Sequence, residues 1–367
     1  MKAIVAADLH LGYRMYGLKQ REQDFYDSCR RLYETAKKHA VNKVLLAGDI
    51  FDVPRPPAAA VETLSKTAND AFNECGIETL GIEGNHDRLG TGAWLRVCGI
   101  EPLDGIGQVD GISGLDYRRP KELLEALSDL ADRCDDTGMR IRVLLLHCGF
   151  EDMGDPFAAD LPVSAVMPYL KRIGVHTVCV GHIHVKMTKE AEFEGHKVTF
   201  LQPGSTETCS LAEEKGKSVF LVEFDDTRLL SCSEIPIETR RFKDTRIDSA
   251  KDLEAFVALD PKEFSGVMNI VRVRSDVNGA VQAVESKLAG ELFRVTTYTE
   301  KLEAKAVDRA QQLVSLESVI EEYFDPGSDV YEILKELLRN PDDVVGIVER
   351  YMKGDKDVPV PKPDEGA

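Results

Sequence analysis

Five times in the first half of this sequence an apolar run ends directly in His, Asp or Asn: Asp8-Leu9-His10, Gly48-Asp49, Gly84-Asn85-His86, His147 and Gly181-His182-Ile183-His184. Carboxylate, amide oxygen and imidazole suit hard or borderline divalent cations. No thiolate stands among them, which favours Mn²⁺, Fe²⁺ or Zn²⁺ in a reactive site over a structural zinc. A carboxylate can bridge two cations about 3.5–4 Å apart, an arrangement that holds both the attacking and the leaving oxygen of an in-line displacement. Five of the eight histidines (10, 86, 147, 182 and 184) fall in these motifs, whereas His39, His176 and His196 do not and read as ordinary surface or core residues. One Asp-x-His or Gly-Asp says little, because strands commonly end in polar turns. Five such ends in one chain are not accounted for by turn chemistry.

Positioning these groups falls to the strands that precede them. Lys2 to Ala7, Lys43 to Ala47, Glu78 to Ile82, Arg142 to Leu146 and Thr177 to Val180 read as short buried strands. Between the first of these, about Gln20 to Ala40 places Phe25, Cys29, Leu32, Tyr33, Ala36 and Ala40 at helical spacing. Pro56-Pro57 then opens a helix with Val61, Leu64, Ala68, Phe72 and Cys75 on one face. Such alternation makes βαβ units, and the carboxyl ends of their strands line one edge where ligands bind. Glycine beside Asp49, Asn85 and His182 permits tight turns there.

Shorter strands follow at Gln108 to Asp116, Glu192 to Leu201 with a turn at Glu194-Gly195, and Ser218 to Phe224. They point to a second sheet, and so to an α/β two-sheet sandwich flanked by helices rather than one doubly wound sheet. After Arg240 the pattern changes. Val267 to Arg274 reads as a strand, Val277 to Gly290 as a helix and Leu292 to Thr299 as a strand, a small βαβ-like module. Glu300 to about Leu316 is charged and helix-compatible, and short amphipathic helices are expected near 316–324, 330–338 and 342–352. The Pro-, Lys- and Asp-rich end from Lys353 reads as a disordered tail.

The 367 residues are 43% hydrophobic and 30% charged, an ordinary globular balance with room for two or three domains. No apolar run approaches the ~18 residues of a membrane helix, and Ala3 to Ala7 is too short for a signal-peptide core. A cytoplasmic protein is expected, or one of the host cytoplasm if phage-encoded. The eight cysteines (29, 75, 98, 134, 148, 179, 209 and 232) contain no CxxC pair and read as reduced core residues, not as a zinc site or a disulfide frame. The net charge of −18 opposes a phosphate-backbone partner. Cations at the site turn its carboxylates from repulsive to attractive towards phosphate.

The motifs DLHLG at 8–12, GDIFD at 48–52, GNHDR at 84–88, LLHCG at 145–149, GHIH at 181–184 and QPGST at 202–206 resemble those of the calcineurin-like metallophosphoesterase superfamily. Within it they look like the SbcD-type nucleases and their eukaryotic and phage equivalents. The resemblance runs through motifs over roughly residues 1–240 and more loosely beyond. It implies a four-layer metallophosphoesterase nuclease domain over 1–240 and a small α+β capping, DNA-binding domain over 241–300. A linker and C-terminal helices for an ATPase partner would occupy 301–352, and a disordered tail 353–367.

The resemblance also implies two divalent metal ions per subunit, Mn²⁺ first, with Mg²⁺, Fe²⁺ or Zn²⁺ as alternatives. Asp8, His10 and His184 would hold one, Asn85, His147 and His182 the other, and Asp49 would bridge. His86 would not ligate but would stabilise the transition state or protonate the leaving oxygen, oriented by Asp52. The implied activity is double-strand exonuclease and single-strand or hairpin endonuclease cleavage, in double-strand-break repair or recombination, with an SbcC-type ABC ATPase.

The alternative is another calcineurin-like phosphoesterase, a protein phosphatase or a cyclic-nucleotide phosphodiesterase. Protein phosphatases of the superfamily typically end the third motif in Glu, where this chain has Asp87. Simple cyclic-nucleotide enzymes have no evident use for so long a C-terminal extension. A non-catalytic scaffold would not need the whole ligand set together with His86. Leu316, Val319, Ile320, Tyr323 and Phe324 share one helical face, the pattern of a helix that docks in a partner's groove. A homodimer through the helices near 20–40 and 57–75 is implied as well, and Arg14, Lys19, Arg88 and Arg118 are the basic residues expected to meet DNA phosphates.

Overall fold

Strands that are apolar along almost their whole length have no face to offer water and must be covered on both sides. In the computed structural model, which describes residues 1–104, 108–154, 160–213, 216–225, 228–299 and 336, β2 (Lys43–Ala47), β6 (Val143–His147) and β7 (Thr177–Gly181) are buried at every position. The cover comes from helices on one face and a second sheet on the other. The first sheet has the order β11-β10-β1-β2-β3-β4. Here β1 (Lys2–Ala6), β2, β3 (Glu78–Ile82) and β4 (Glu101–Pro102) run parallel, while β10 (Lys217–Phe224) and β11 (Leu229–Ile237) add antiparallel pairings. The second has the order β5-β6-β7-β9-β8, with β5 (Ile112–Leu115), β6, β7 and β9 (His196–Gln202) parallel and β8 (Met187–Phe193) antiparallel at the edge.

Three apolar clusters make this a helix–sheet–sheet–helix sandwich. Phe25, Leu32 and Tyr33 of α1 (Lys19–Lys38) and Leu64 and Ala68 of α2 (Ala58–Cys75) pack with Ile4, Val44 and Leu46 of the first sheet. Leu127 and Leu130 of α4 (Pro120–Thr137) and Val166 and Leu170 of α5 (Val163–Ile173) pack with Leu144, Leu146 and Val178 of the second. Val5, Leu45 and Leu80 meet Val143, Leu145 and Cys179 between the sheets. A one-turn helix, α3 (Ala93–Val97), sits before β4. The α/β two-sheet sandwich expected from sequence is the fold observed.

Register is what matters for the site. Ala6 pairs with Leu46 and Ala47 with Ile82 in the first sheet, and His147 pairs with Gly181 in the second. The carboxyl ends of β1, β2 and β3 therefore finish level, as do those of β6 and β7.

Several elements differ from the sequence reading. The strand expected from Gln108 begins only at Ile112, preceded by one bridge between Val109 and Ile112. The edge strand β11 was not anticipated, because its Leu-Leu-Ser-Cys-Ser-Glu pattern is mostly exposed and carries no buried run. Cys75 and Cys232 are exposed, so the assignment of every cysteine to the core is corrected. Cys75 ends α2 and Cys232 lies on that edge strand.

The chain divides into two compact units, the first comprising residues 1–243, 262–269 and 290–294, the second 244–261, 270–289 and 295 onward. The second contains α6 (Ala250–Ala258), opened by a Ser249 hydroxyl that accepts the Asp252 N–H, and α7 (Ala280–Lys287). It also contains most of a three-stranded sheet of order β12-β13-β14, formed by β12 (Phe242–Ile247), β13 (Met268–Arg274) and β14 (Phe293–Tyr298). The expected strand–helix–strand module is thus preceded by one more strand and helix. The linker and helices expected over 301–352, including Leu316, Val319, Ile320, Tyr323 and Phe324, and the tail over 353–367 lie outside the described residues, Glu336 apart. Among the described residues no helix is long and apolar enough to cross a membrane.

Candidate metal centre

Beyond β1, β2 and β7 the backbone leaves the sheets in a conformation that side chains disfavour. Among the described residues, four of the eight non-glycine positions with positive φ are Asp8 (53°), His10 (44°), Asp49 (48°) and His182 (100°). Each such residue costs of order 1–3 kcal/mol and persists only where its surroundings hold it. Here hydrogen bonds do so. Asp8 N–H donates to the Gly48 carbonyl at 3.1 Å and His10 N–H to the Asp49 carbonyl at 3.0 Å. His182 N–H donates to the Asp8 carboxylate at 2.9 and 3.2 Å, which joins the two sheets at the site. Glycine is required where these turns crowd together. A Cβ on Gly48 would overlap the His147 ring, and one on Gly84 would overlap Asp49.

The loop after β3 is organised by its acids. Asp87 accepts the N–H groups of Ile50, Phe51 and Gly84 at 2.8, 3.0 and 2.7 Å. His86 N–H donates to Asp49 Oδ1 at 2.9 Å. Glu83 accepts from Leu89, Gly90 and Gly92. Asn85 and His86 are thereby left at the surface of the site while their neighbours are buried.

The donor atoms form two groups around one carboxylate. Asp49 Oδ2 lies 3.3 Å from His147 Nε2 and 3.8 Å from His10 Nε2. On one side His10 Nε2 and His184 Nε2 stand 3.1 Å apart. On the other, Asn85 Oδ1 lies 3.1 Å from His147 Nε2 and 2.9 Å from His182 Nδ1. Two imidazole nitrogens that share one cation at about 2.1 Å each stand roughly 3 Å apart at a right-angle geometry, so the spacing suits a metal. The back atoms are also held: His147 Nδ1 donates to the Ala47 carbonyl at 2.8 Å and His184 Nδ1 to Glu213 Oε1 at 2.9 Å. That leaves Nε2 of each ring for a cation, the usual arrangement for a ligating histidine. The residues present therefore fit a pair of divalent cations.

Burial and neighbouring charges act in opposite directions on the groups of this centre. Burial would lower the pKa of His147, but the neighbouring Asp49 charge raises it to about 9. Burial would raise that of Asp49, yet His147 and His10 hold the carboxyl well below its ordinary range. His184 is likewise lowered by burial but raised to about 11 through contact with Cys209 and Glu213. His182 is pushed down by burial and by His147. Asp87, buried and close to Asp49, is pushed up to about 7.

All seven expected ligands meet at this edge, with His86 beside them. Its side chain is 44% exposed, its ring stands edge-on to His10 with centroids 4.8 Å apart, and its Nδ1 lies 3.1 Å from the Asp52 carbonyl oxygen. The Asp52 carboxylate is closer to His10 Nδ1, at 3.3 Å, than to His86 Nδ1, at 3.8 Å. Of the basic residues considered for DNA, Arg14 pairs with Glu22 and Arg118 with Asp104, whereas Lys19 and Arg88 are exposed.

Three site residues escaped the sequence reading. Cys209 Sγ lies within 4.8 Å of ring nitrogens of His10 and His184, so a thiol stands next to the expected donors. The bridge between Ala7 and Ser205 brings its loop back beside β1. Glu213 sits in a polar loop with no distinguishing signal. Tyr117 follows the end of β5 and stacks on His182, with ring centroids 6.0 Å apart; the same strand-end rule that found the ligands applies to it.

Comparison with known proteins agrees with this geometry. The profile of the calcineurin-like phosphoesterase family matches residues 1–186. The chain is 28% identical over 276 residues to the DNA double-strand break repair protein Mre11 of Methanocaldococcus jannaschii, covering 70% of this chain and 72% of the relative. To the protein of that name from Methanococcus maripaludis it is 25% identical over 384 residues, covering 96% and 100%. To that of Haloferax volcanii it is 31% identical over 301 residues, covering 79% and 62%.

Proposed function

We propose that this chain, which belongs to the calcineurin-like phosphoesterase family, is a metal-dependent DNA nuclease of double-strand-break repair. The observation that carries the reading is the place of Asp49, its buried carboxylate set between the His10–His184 group and the Asn85–His147–His182 group. That is the position of a ligand shared by two cations. The choice of DNA follows the relatives, which are named as double-strand-break repair proteins over most of the chain.

In this reading Asp8, His10 and His184 would hold one cation and Asn85, His147 and His182 the other, Asp49 would be shared between them, and Mn²⁺ would be the working metal. When bound, the pair lowers the pKa of water and neutralises charge that develops on the phosphate. The chain's own residues do the rest. The Asp52 carbonyl occupies His86 Nδ1, so Nε2 is the atom left to stabilise the reacting phosphate or protonate the departing oxygen. Asp52 orients both His10 and His86 from one position. Residues 241–300 serve as a DNA-binding domain beside the nuclease domain of 1–240 in sequence, the C-terminal segment with Leu316 and Phe324 binds an SbcC-type ATPase, and α1 and α2 form the homodimer face.

The test is incubation of the full chain and Mn²⁺ with end-labelled duplex DNA and, in parallel, with a phosphopeptide. DNA is expected to be cut and the peptide left intact, with chelator abolishing cleavage. Phosphopeptide turnover without DNA cleavage overturns the proposal in favour of a phosphatase.

A further inference from the structure

We propose that Tyr117 is a stacking platform for the nucleobase beside the scissile phosphate, and that Arg88 and Arg119 hold the phosphates flanking it. The inference rests on the nuclease reading above and adds a substrate subsite to it.

Tyr117 is built into the fold at the place such a platform needs. Asp116 Oδ1 accepts the Glu83 N–H at 2.7 Å and Tyr117 N–H donates to the Glu83 carbonyl at 2.8 Å, which ties the end of β5 to the end of β3. The ring then lies over the second ligand group. It stacks on His182 with an interplanar angle of 27°, and meets His147 edge-on with centroids 6.2 Å apart. Tyr117 is nonetheless only half-buried.

The backbone of His182 is placed without this ring, by its N–H bonds to the Asp8 carboxylate. An aromatic ring that is partly open to solvent beside a phosphodiester-cleaving centre offers instead a π-face on which any base can stack, independent of sequence. The phenol packs against ligands of the centre, so a base resting on it lies next to the phosphate under attack.

The charges acting on the Tyr117 hydroxyl are of both signs, Asp160 and Glu122 against Arg119 and Arg88. Burial and Asp160 raise the pKa of the Tyr117 hydroxyl, while Arg119 and Arg88 are close enough to oppose that shift. Both arginines are exposed, and neither guanidinium has a hydrogen-bond or ion-pair partner among the described residues, whereas that of Arg118 is held by both oxygens of Asp104. In a chain of net charge −18, two guanidinium groups with no partner among the described residues, one two residues after His86 and one two residues after Tyr117, are available to an anion. Arginine presents a fork suited to phosphate oxygens.

The test uses the full chain loaded with Mn²⁺ and two duplexes, one with a base and one with an abasic analogue at the nucleotide next to the cleaved bond. Tyr117→Ala is expected to raise KM on the base-bearing duplex roughly tenfold, with kcat affected less. Its effect on the abasic duplex should be clearly smaller, with metal content retained, and Tyr117→Trp should restore KM. Arg88→Ala and Arg119→Ala are expected to weaken DNA binding and each to reduce its salt dependence by about one phosphate contact. A wild-type KM in Tyr117→Ala overturns the platform. So does an equal fall of kcat and metal content on both duplexes, which marks Tyr117 as a support for His182. Unchanged salt dependence in both arginine variants removes them from the subsite. If the wild-type chain cuts neither duplex, it is the nuclease reading that fails, and this subsite with it.

Discussion

His184 Nδ1 donates to Glu213 Oε1 at 2.9 Å, while the other oxygen of that carboxylate accepts from Lys217 Nζ at 2.6 Å and from the Cys209 N–H at 3.1 Å. Burial would raise the pKa of Glu213, but His184 and Lys217 hold it down to about 2. The carboxylate therefore stays charged, fixes the tautomer of His184 and leaves Nε2 to face His10. Such partners of ligating histidines are commonly worth about 10–100-fold in metal affinity. Glu213→Gln should weaken one of two cation sites by about that factor and spare the other, as read by isothermal titration calorimetry. Equal affinities at both sites in the variant contradict the assignment.

Asp49 contacts both ligand groups, so its loss should not be confined to one. Asp49→Ala is expected to leave less than one tightly bound cation per chain by elemental analysis after dialysis. Retention of one tight cation shows that Asp49 serves a single position.

His86 offers the opposite case. It touches Asp52 and His10, donates its N–H to Asp49, and has a ring nitrogen within 4.8 Å of donor atoms of His10 and Asp49, yet it is expected to act on the substrate and not on the cations. His86→Ala should keep both cations and lower kcat by about 10²–10⁴, the usual contribution of a positioned acid or base. A parallel loss of metal would move His86 into the ligand set.

Protonation of His147 and His184 in the absence of metal sets a pH dependence of definite sign. The pKa of His147 is raised to about 9 and that of His184 to about 11, so both carry protons at neutral pH in the absence of metal. Raised values mean that these ion pairs stabilise the metal-free fold fully below the unfolded histidine value near ~6.5. The His147 contribution is lost as pH climbs through about 9. Cations require the neutral rings, so binding releases protons and tightens over the same range. Melting curves between about pH 6 and 9 should fall with pH in chelator and rise relative to that baseline in Mn²⁺. Parallel curves would mean that the histidines are neutral without metal.

The expected ligands could be gathered from the sequence for a simple reason. Each follows an apolar run, and parallel strands in level register bring the ends of such runs together whatever the chain between them does. The backbone strain at Asp8, His10, Asp49 and His182 was not legible, because φ is set by hydrogen bonds such as Asp8 N–H to Gly48 that cross between strands. The sequence also gave no sign that Asp87 faces inward to three backbone N–H groups, although it sits in the same motif as Asn85. Cys209 and Glu213 were missed because their loop returns to the site through tertiary pairing, with no strand pattern of its own. β11 was missed for the converse reason: an exposed edge strand can be polar, and pattern then says nothing.

That returning loop depends on a buried charge. Arg21 of α1 is fully buried and donates to Asp24 at 2.7 Å, to Glu207 at 3.1 Å and to the Thr208 carbonyl at 2.7 Å. Arg240 closes the network by donating to both oxygens of Asp24 at 2.6 Å. Burial keeps the pKa of Glu207 above its ordinary value despite Arg21, so this carboxylate gains little margin from its pairing. Removing one member of a buried pair typically costs about 3–5 kcal/mol, because the other charge is left without a partner. Arg21→Met should lower the urea midpoint accordingly. It should also weaken cation binding, since Glu207 and Thr208 lead directly into Cys209 and Glu213. Arg21→Met combined with Glu207→Leu removes both charges, and Asp24 keeps Arg240, so most of the lost stability should return. Urea denaturation of the single and double variants in chelator measures the stability term alone, and titration with Mn²⁺ measures the loop. A double variant no more stable than the single one would show that Arg21 acts through its packing over Phe25 and Phe242, whose ring centroids lie 5.6 and 5.0 Å from the guanidinium carbon, and not through Glu207.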